Sequence, residues 1–175
     1  FGSQWHLNGN FGINVQNTWE DYTGSGITIG FVDDGIQYTH PDISPNYNTA
    51  IDYDLETGTG DGAPRIANDK HGTTTGGVAA GAGNNGMGIS GVAFNATEAS
   101  FRLPFGVSLT DAQFASLYTM QLQAGVDVSN NSWGFGGFFE DNFATTMPLL
   151  VAAIDDLAEF GRGGLGTNIV FAAGN

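Results

Sequence analysis

Short β-branched and apolar runs alternate along this chain with segments of helical spacing, and glycines cluster at the turns between them. Alternation of that kind predicts a parallel α/β sheet, because parallel neighbours must be joined by crossovers that are usually helical. Ile27–Val32, following Gly24-Ser25-Gly26, reads as a buried strand. Residues 73–82, rich in Ala, Gly and Val, read as a helix packed closely on its neighbour. Residues 99–103 predict a second strand, 126–132 a third and 168–172 a fourth. Thr110 is a candidate cap for a helix reaching Ala124, with Phe114, Leu117, Tyr118 and Leu122 on helical spacing. Residues 149–160 form an amphipathic helical pattern. Connections are short except for the polar, acidic region 43–70, which predicts a loop with a functional or ion-binding role.

The 175 residues suit one domain, and 41% hydrophobic content is enough for a core. Acidic residues outnumber basic ones 18 to 4, for a net charge of −14. That balance excludes a nucleic-acid backbone partner, which needs Lys and Arg stripes, and fits basic peptides or bound cations. No apolar run approaches the ~18 residues of a membrane span. The start, Phe1 to His6, has neither the basic flank nor the apolar stretch of a signal peptide. Cysteine is absent, which removes disulfides, thiol nucleophiles and thiolate zinc sites. The chain closes on Ile169 to Asn175, an apolar strand running into a Gly-Asn turn, and this predicts a fragment of a larger domain.

Four motifs carry chemistry. Val32-Asp33-Asp34-Gly35-Ile36 lies at the carboxyl end of the first strand, where α/β sheets collect catalytic groups; an acidic turn is the plainer reading. His71-Gly72-Thr73 places an imidazole at the start of a helix, where it is either a proton acceptor or a structural residue. Ser129-Asn130-Asn131-Ser132-Trp133-Gly134 follows a strand, and Ala172-Ala173-Gly174-Asn175 puts an amide on a turn, where it can donate to a developing oxyanion. Gly161-Arg162-Gly163-Gly164-Leu165-Gly166 fits a dinucleotide fingerprint in letters only, since it follows a helix and precedes a strand.

In this order the four motifs resemble the subtilisin-like serine proteases, most closely the kexin/furin branch. Thr39-His40-Pro41-Asp42, Asn84-Asn85-Gly86, residues 91–96 and residues 161–166 add to the likeness, which covers nearly the whole chain. The resemblance implies a three-layer α/β/α subtilisin-like fold with a mainly parallel sheet, residues 1–175 being the N-terminal part of one peptidase domain. It assigns Asp33 as orienting carboxylate, His71 as general base and Asn175 as oxyanion donor. It places Asp34 toward substrate, favouring a basic side chain beside the cleaved residue, and Ser132, Trp133 and Gly134 along the cleft. The nucleophilic serine of a Gly-Thr-Ser motif is absent, and neither Ser129 nor Ser132 matches it. The C-terminal portion of the domain is therefore expected as a partner, beside a peptide or protein substrate and a propeptide, chaperone or inhibitor. The family also implies secretion, while the apolar runs and the charge balance lead to the expectation of no membrane and no nucleic-acid partner.

Calcium is the implied cofactor. The family's strong site maps to the Asp42 and Asn85 side chains with the carbonyls of Ala82, Met87 and Ile89, an oxygen set that suits a hard cation. Asp52, Asp54, Glu56 and Asp61 fall where the kexin/furin branch holds another calcium; a solvated acidic loop is the alternative. After Gly134 the furin-type acidic pair is replaced by Phe135-Gly136-Gly137-Phe138-Phe139, with Glu140 and Asp141 displaced, so the preference at the cleaved bond stays open. The function implied is a calcium-dependent serine endopeptidase. The alternative is a non-catalytic subtilase-like module binding peptide or calcium, or an inactive fragment.

Overall fold

The computed structural model describes residues 2–134 and 142–174. Five strands, β1 (Thr28–Asp33), β2 (Tyr53–Asp54), β3 (Thr97–Arg102), β4 (Val128–Asn131) and β5 (Asn168–Phe171), pair in parallel in the order β2-β3-β1-β4-β5. The helices are α1 (His71–Ala80), α2 (Asp111–Ala124), α3 (Phe143–Thr146) and α4 (Pro148–Gly164). The region expected to be all loop, 43–70, contains β2, a two-residue strand too short to show a period of two in sequence.

The sheet is covered on both faces. Val32, Ala99 and Phe101 pack with Phe114, Leu117 and Tyr118 of α2 and Leu150, Ala153 and Leu157 of α4. Ile29 and Phe31 point the other way and pack with Ile36, Ile43 and Ala80 on the α1 side. β1 is thus buried on both faces, as its continuous apolar run requires. Burying each large apolar side chain contributes about 1.5–3 kcal/mol. α2 opens on the expected Thr110, as a full capping box with Gln113. α4 leaves helical geometry at Gly161, Arg162 and Gly163, so the glycine-rich stretch ends a helix rather than opening one. Among the described residues no helix is long and apolar enough to cross a membrane.

α1 meets the sheet through absent side chains. A Cβ on Gly72 would stand 2.5 Å from Gly35 O, and one on Gly76 would stand 2.6 Å from Glu98 Oε2. Those approaches let α1 lie close to β1 and β3 and set its first turn against the end of β1. Glu98 itself is fully buried, and neither carboxylate oxygen has a hydrogen-bond partner among the described residues.

The β3 end carries an ion network. Arg102 Nη1 donates to Asp54 Oδ1 at 3.1 Å and to Glu56 Oε2 at 2.8 Å, and Nη2 reaches Asp69 Oδ2 at 3.5 Å. Arg65 Nη2 adds a 2.6 Å bond to Asp54 Oδ2 and Nη1 a 3.1 Å bond to Asp61 Oδ2. Burial pushes the Asp54 carboxyl up, but Arg65, the Glu56 N–H and Arg102 more than reverse this, so Asp54 sits below the ordinary value. Asp69 also accepts from the N–H groups of Arg65 and Ile66, so the network holds the segment leading into α1.

Two outcomes follow from these buried charges. Replacing Arg102 by Met removes one of the two guanidinium partners of Asp54 and should destabilise in denaturant unfolding, by less than the about 3–5 kcal/mol of a buried charge left wholly unpaired, because Arg65 stays in place. Burial pushes the Glu98 carboxyl from 4.5 up to about 8. The folded chain therefore keeps a proton that the unfolded chain has released, and stability falls as pH rises across that window. Thermal melts of Glu98→Gln should match the parent below that window and exceed it above.

Candidate active site

The end of β1 and the first turn of α1 build one hydrogen-bonded unit. Asp33 is fully buried, held in register opposite Arg102, and its carbonyl accepts from Leu103 N at 2.7 Å. Its carboxylate meets His71 Nδ1 at 2.8 Å through Oδ1 and 3.0 Å through Oδ2. Asp34 N donates to Oδ1 at 2.8 Å, and Thr75 Oγ1 lies 3.1 Å from Oδ2. Burial pushes the Asp33 carboxyl up, opposed by the bonds from His71 and the Asp34 N–H. A carboxylate on Nδ1 places the proton there and leaves Nε2 as the acceptor. The His71 side chain is 53% exposed, so its ring is open to a reacting group.

Asp34 is employed differently from the expectation. Only 4% exposed, it accepts from Gly72 N through Oδ1 at 2.7 Å and from His71 N through Oδ2 at 3.0 Å. The carboxylate expected to face substrate is turned inward, because the N-terminal N–H groups of α1 would otherwise be unsatisfied.

A cleft of about 540 Å³ lies beside the pair, lined by Phe105, Val107, Leu109, Phe114, Trp133 and Gly134 among others. Its Phe105 ring stands 6.4 Å from the His71 ring, centroid to centroid. Trp133 stacks on Phe114 at 5.4 Å, while Ser132 Oγ accepts from Asn130 Nδ2 at 2.9 Å. The structure thus brings Trp133 and Gly134 to the cleft beside His71; Ser132 is not among the residues lining it. Ser129 is fully buried and its hydroxyl accepts from Asn131 Nδ2 at 3.0 Å. Asn175, Glu140 and Asp141 lie outside the described residues.

Of the expected calcium ligands, the Asp42 and Asn85 side chains meet. Asp42 Oδ1 accepts from Asn85 Nδ2 and Oδ2 from Ile89 N, both at 2.7 Å, and Ala82 N donates to the Asp42 carbonyl at 2.7 Å. Met87 N closes on Asn85 Oδ1 at 3.0 Å. Gln4, which the sequence did not single out, exchanges two hydrogen bonds with the Ser90 backbone at 2.9 and 3.0 Å. The Asp42 carboxylate and the Asn85 amide are of the hard-oxygen type that calcium takes, while the contacts that join Ala82, Met87 and Ile89 to them run through backbone N–H groups.

The acidic cluster does not converge. Asp54 and Glu56 are bound by guanidinium groups, so these expected ligands are ion-pair partners instead. Asp52 Oδ2 accepts from Gly62 N at 3.0 Å and from the Tyr47 hydroxyl at 3.1 Å, and Asp61 pairs with Arg65. Asp52 Oδ1 and Asp61 Oδ1 are buried without a hydrogen-bond partner among the described residues. Among the described residues no three His, Cys, Asp or Glu side chains are grouped to hold a metal. Arg65, Arg102 and Thr75 were missed as functional residues. Only Thr75 had a signal, four residues after His71 and so on the same helix face.

Known proteins resemble this chain in sequence and fold. The Subtilase family model matches residues 24–175. Neuroendocrine convertase 2 of Homo sapiens is 36% identical over 190 residues, covering 100% of this chain and 29% of its own length. The dibasic-processing endoprotease of Schizosaccharomyces pombe is 32% identical over 184 residues, covering 100% of this chain and 25% of its own. The chain thus spans under a third of these relatives. Among solved structures, the serine protease of Aeromonas sobria, crystallised with its chaperone, superposes with a TM-score of 0.72 at 23% identity, covering 87% of this chain and 25% of that one. That likeness speaks for the fold, and the family match speaks for descent: the chain belongs to the subtilase family of serine proteases, with kexin- and furin-like relatives.

Proposed function

We propose that this chain is the Asp- and His-bearing part of a calcium-dependent serine endopeptidase. The observation that carries the reading is the 2.8 Å bond from His71 Nδ1 to the buried Asp33 carboxylate, with the rest of the imidazole open beside a cleft. In this reading a serine hydroxyl from the C-terminal portion of the same domain attacks the scissile carbonyl. His71 Nε2 takes its proton and later gives it to the leaving amine, while Asp33 holds the ring and stabilises the imidazolium. Asn175 donates to the oxyanion, and Trp133 and Gly134 line the bound peptide. A preference for basic residues near the cleaved bond is supported by the net charge of −14 and by the dibasic-processing relative.

Calcium belongs to this reading at Asp42 and Asn85, with the carbonyls of Ala82, Met87 and Ile89. Bound there, it would tie the loop after α1 to Asp42 and stabilise the fold. A chaperone partner is supported by the Aeromonas sobria complex, and a propeptide and secretion by the family resemblance.

A serine-reactive fluorophosphonate probe followed by denaturing mass spectrometry should label a polypeptide carrying sequence C-terminal to Asn175. No label would remove the peptidase reading. His71→Ala should abolish labelling and peptide turnover while leaving calcium binding intact. Excess chelator should lower the melting temperature, as expected of a cation bound only by the folded state, and an unchanged melt would remove the Asp42 site.

A further inference from the structure

α1 begins without a cap of its own. Its N-cap position is Lys70, whose side chain makes no capping hydrogen bond and carries the wrong charge for a helix N-terminus. The missing acceptor arrives from 37 residues away: Asp34 takes the N–H of His71 at 3.0 Å and of Gly72 at 2.7 Å. Asp33, the preceding residue on the same strand, takes the imidazole of that same His71. The two adjacent carboxylates therefore grip one residue at both ends, Asp34 by its backbone and Asp33 by its ring. Asp34 N in turn donates to Asp33 Oδ1 at 2.8 Å, so the grips share a hinge. With Gly72 allowing α1 to approach Gly35 O, nothing bulky separates the helix start from the strand end.

We infer that Asp34 is a positioning residue for the general base: by capping α1 from across the β1–α1 junction it fixes where His71 stands, and it acts on every substrate alike. The inference rests on the reading of His71 as general base. It differs from a role in recognising a basic side chain, which would need a carboxylate facing the cleft, whereas this one is 4% exposed and turned onto two helix N–H groups.

The test uses Asp34→Ala and Asp34→Asn in this chain combined with the Ser-bearing portion. A misplacement of about 1 Å costs on the order of 100-fold in rate. Asp34→Ala should therefore lower kcat by about 100-fold, equally on peptides with a basic or a neutral residue beside the cleaved one, with KM little changed. Asp34→Asn keeps one acceptor oxygen and should fall between the parent and Asp34→Ala. Amide exchange at His71 and Gly72 should accelerate in the same order. A loss confined to basic peptides, carried by KM and equal in both variants, would overturn the inference, as would unchanged exchange at those two amides. An inactive parent assembly would overturn the peptidase reading alone, and amide exchange in this chain would still decide whether Asp34 holds the start of α1.

Discussion

A buried carboxylate must find donors, and the two that end β1 find theirs on one turn of one helix. Asp33 and Asp34 sit where side chains from a parallel strand emerge at its carboxyl end, and neither has room to reach water. Taking the His71 ring and the N–H groups of His71 and Gly72 satisfies them both. It also satisfies a helix start that the local sequence leaves open. Much else in the molecule serves that junction. Glycines at 72 and 76 let the helix come close, and the Arg102 network steadies the segment that delivers it.

Polar groups sit unusually deep on the α1 side of the sheet. Along β3, Glu98, Ser100 and Arg102 share the face opposite Ala99 and Phe101, and all three are buried. Arg102 is matched by carboxylates, whereas Glu98 is matched by nothing among the described residues and stays neutral over part of the pH range. The same face thus holds one group that stabilises only as an ion and another that is tolerated only as an acid.

Legibility from sequence followed the range of the interactions. β1, α2 and α4 could be read because period, capping and apolar runs are local: Thr110 and Gln113 announce their helix within four residues. Asp33 and His71 could be paired only through motif order, since no local rule joins residues 38 apart. The acidic cluster was misjudged for a related reason. Asp54 and Glu56 look like ligands beside other acids, and their partner Arg102 lies more than 45 residues away on β3. Asp34 could not be read as a cap because its acceptor role depends on where Lys70 fails to provide one.

The cations deserve a different kind of accounting, because the chain has so few. Of its four, Arg65 and Arg102 are consumed by the β3 network and Arg162 is bound to Asp127, which leaves Lys70 outside these pairs. The exposed charge among the described residues is therefore mainly anionic. Exposed carboxylates repel one another over a screening length of about 10 Å at 0.1 M salt, so moderate ionic strength tightens the fold from outside while weakening the pull on approaching cationic solutes. The network at β3, partly shielded from solvent, feels that screening least, and salt would separate the surface's electrostatics from the interior's.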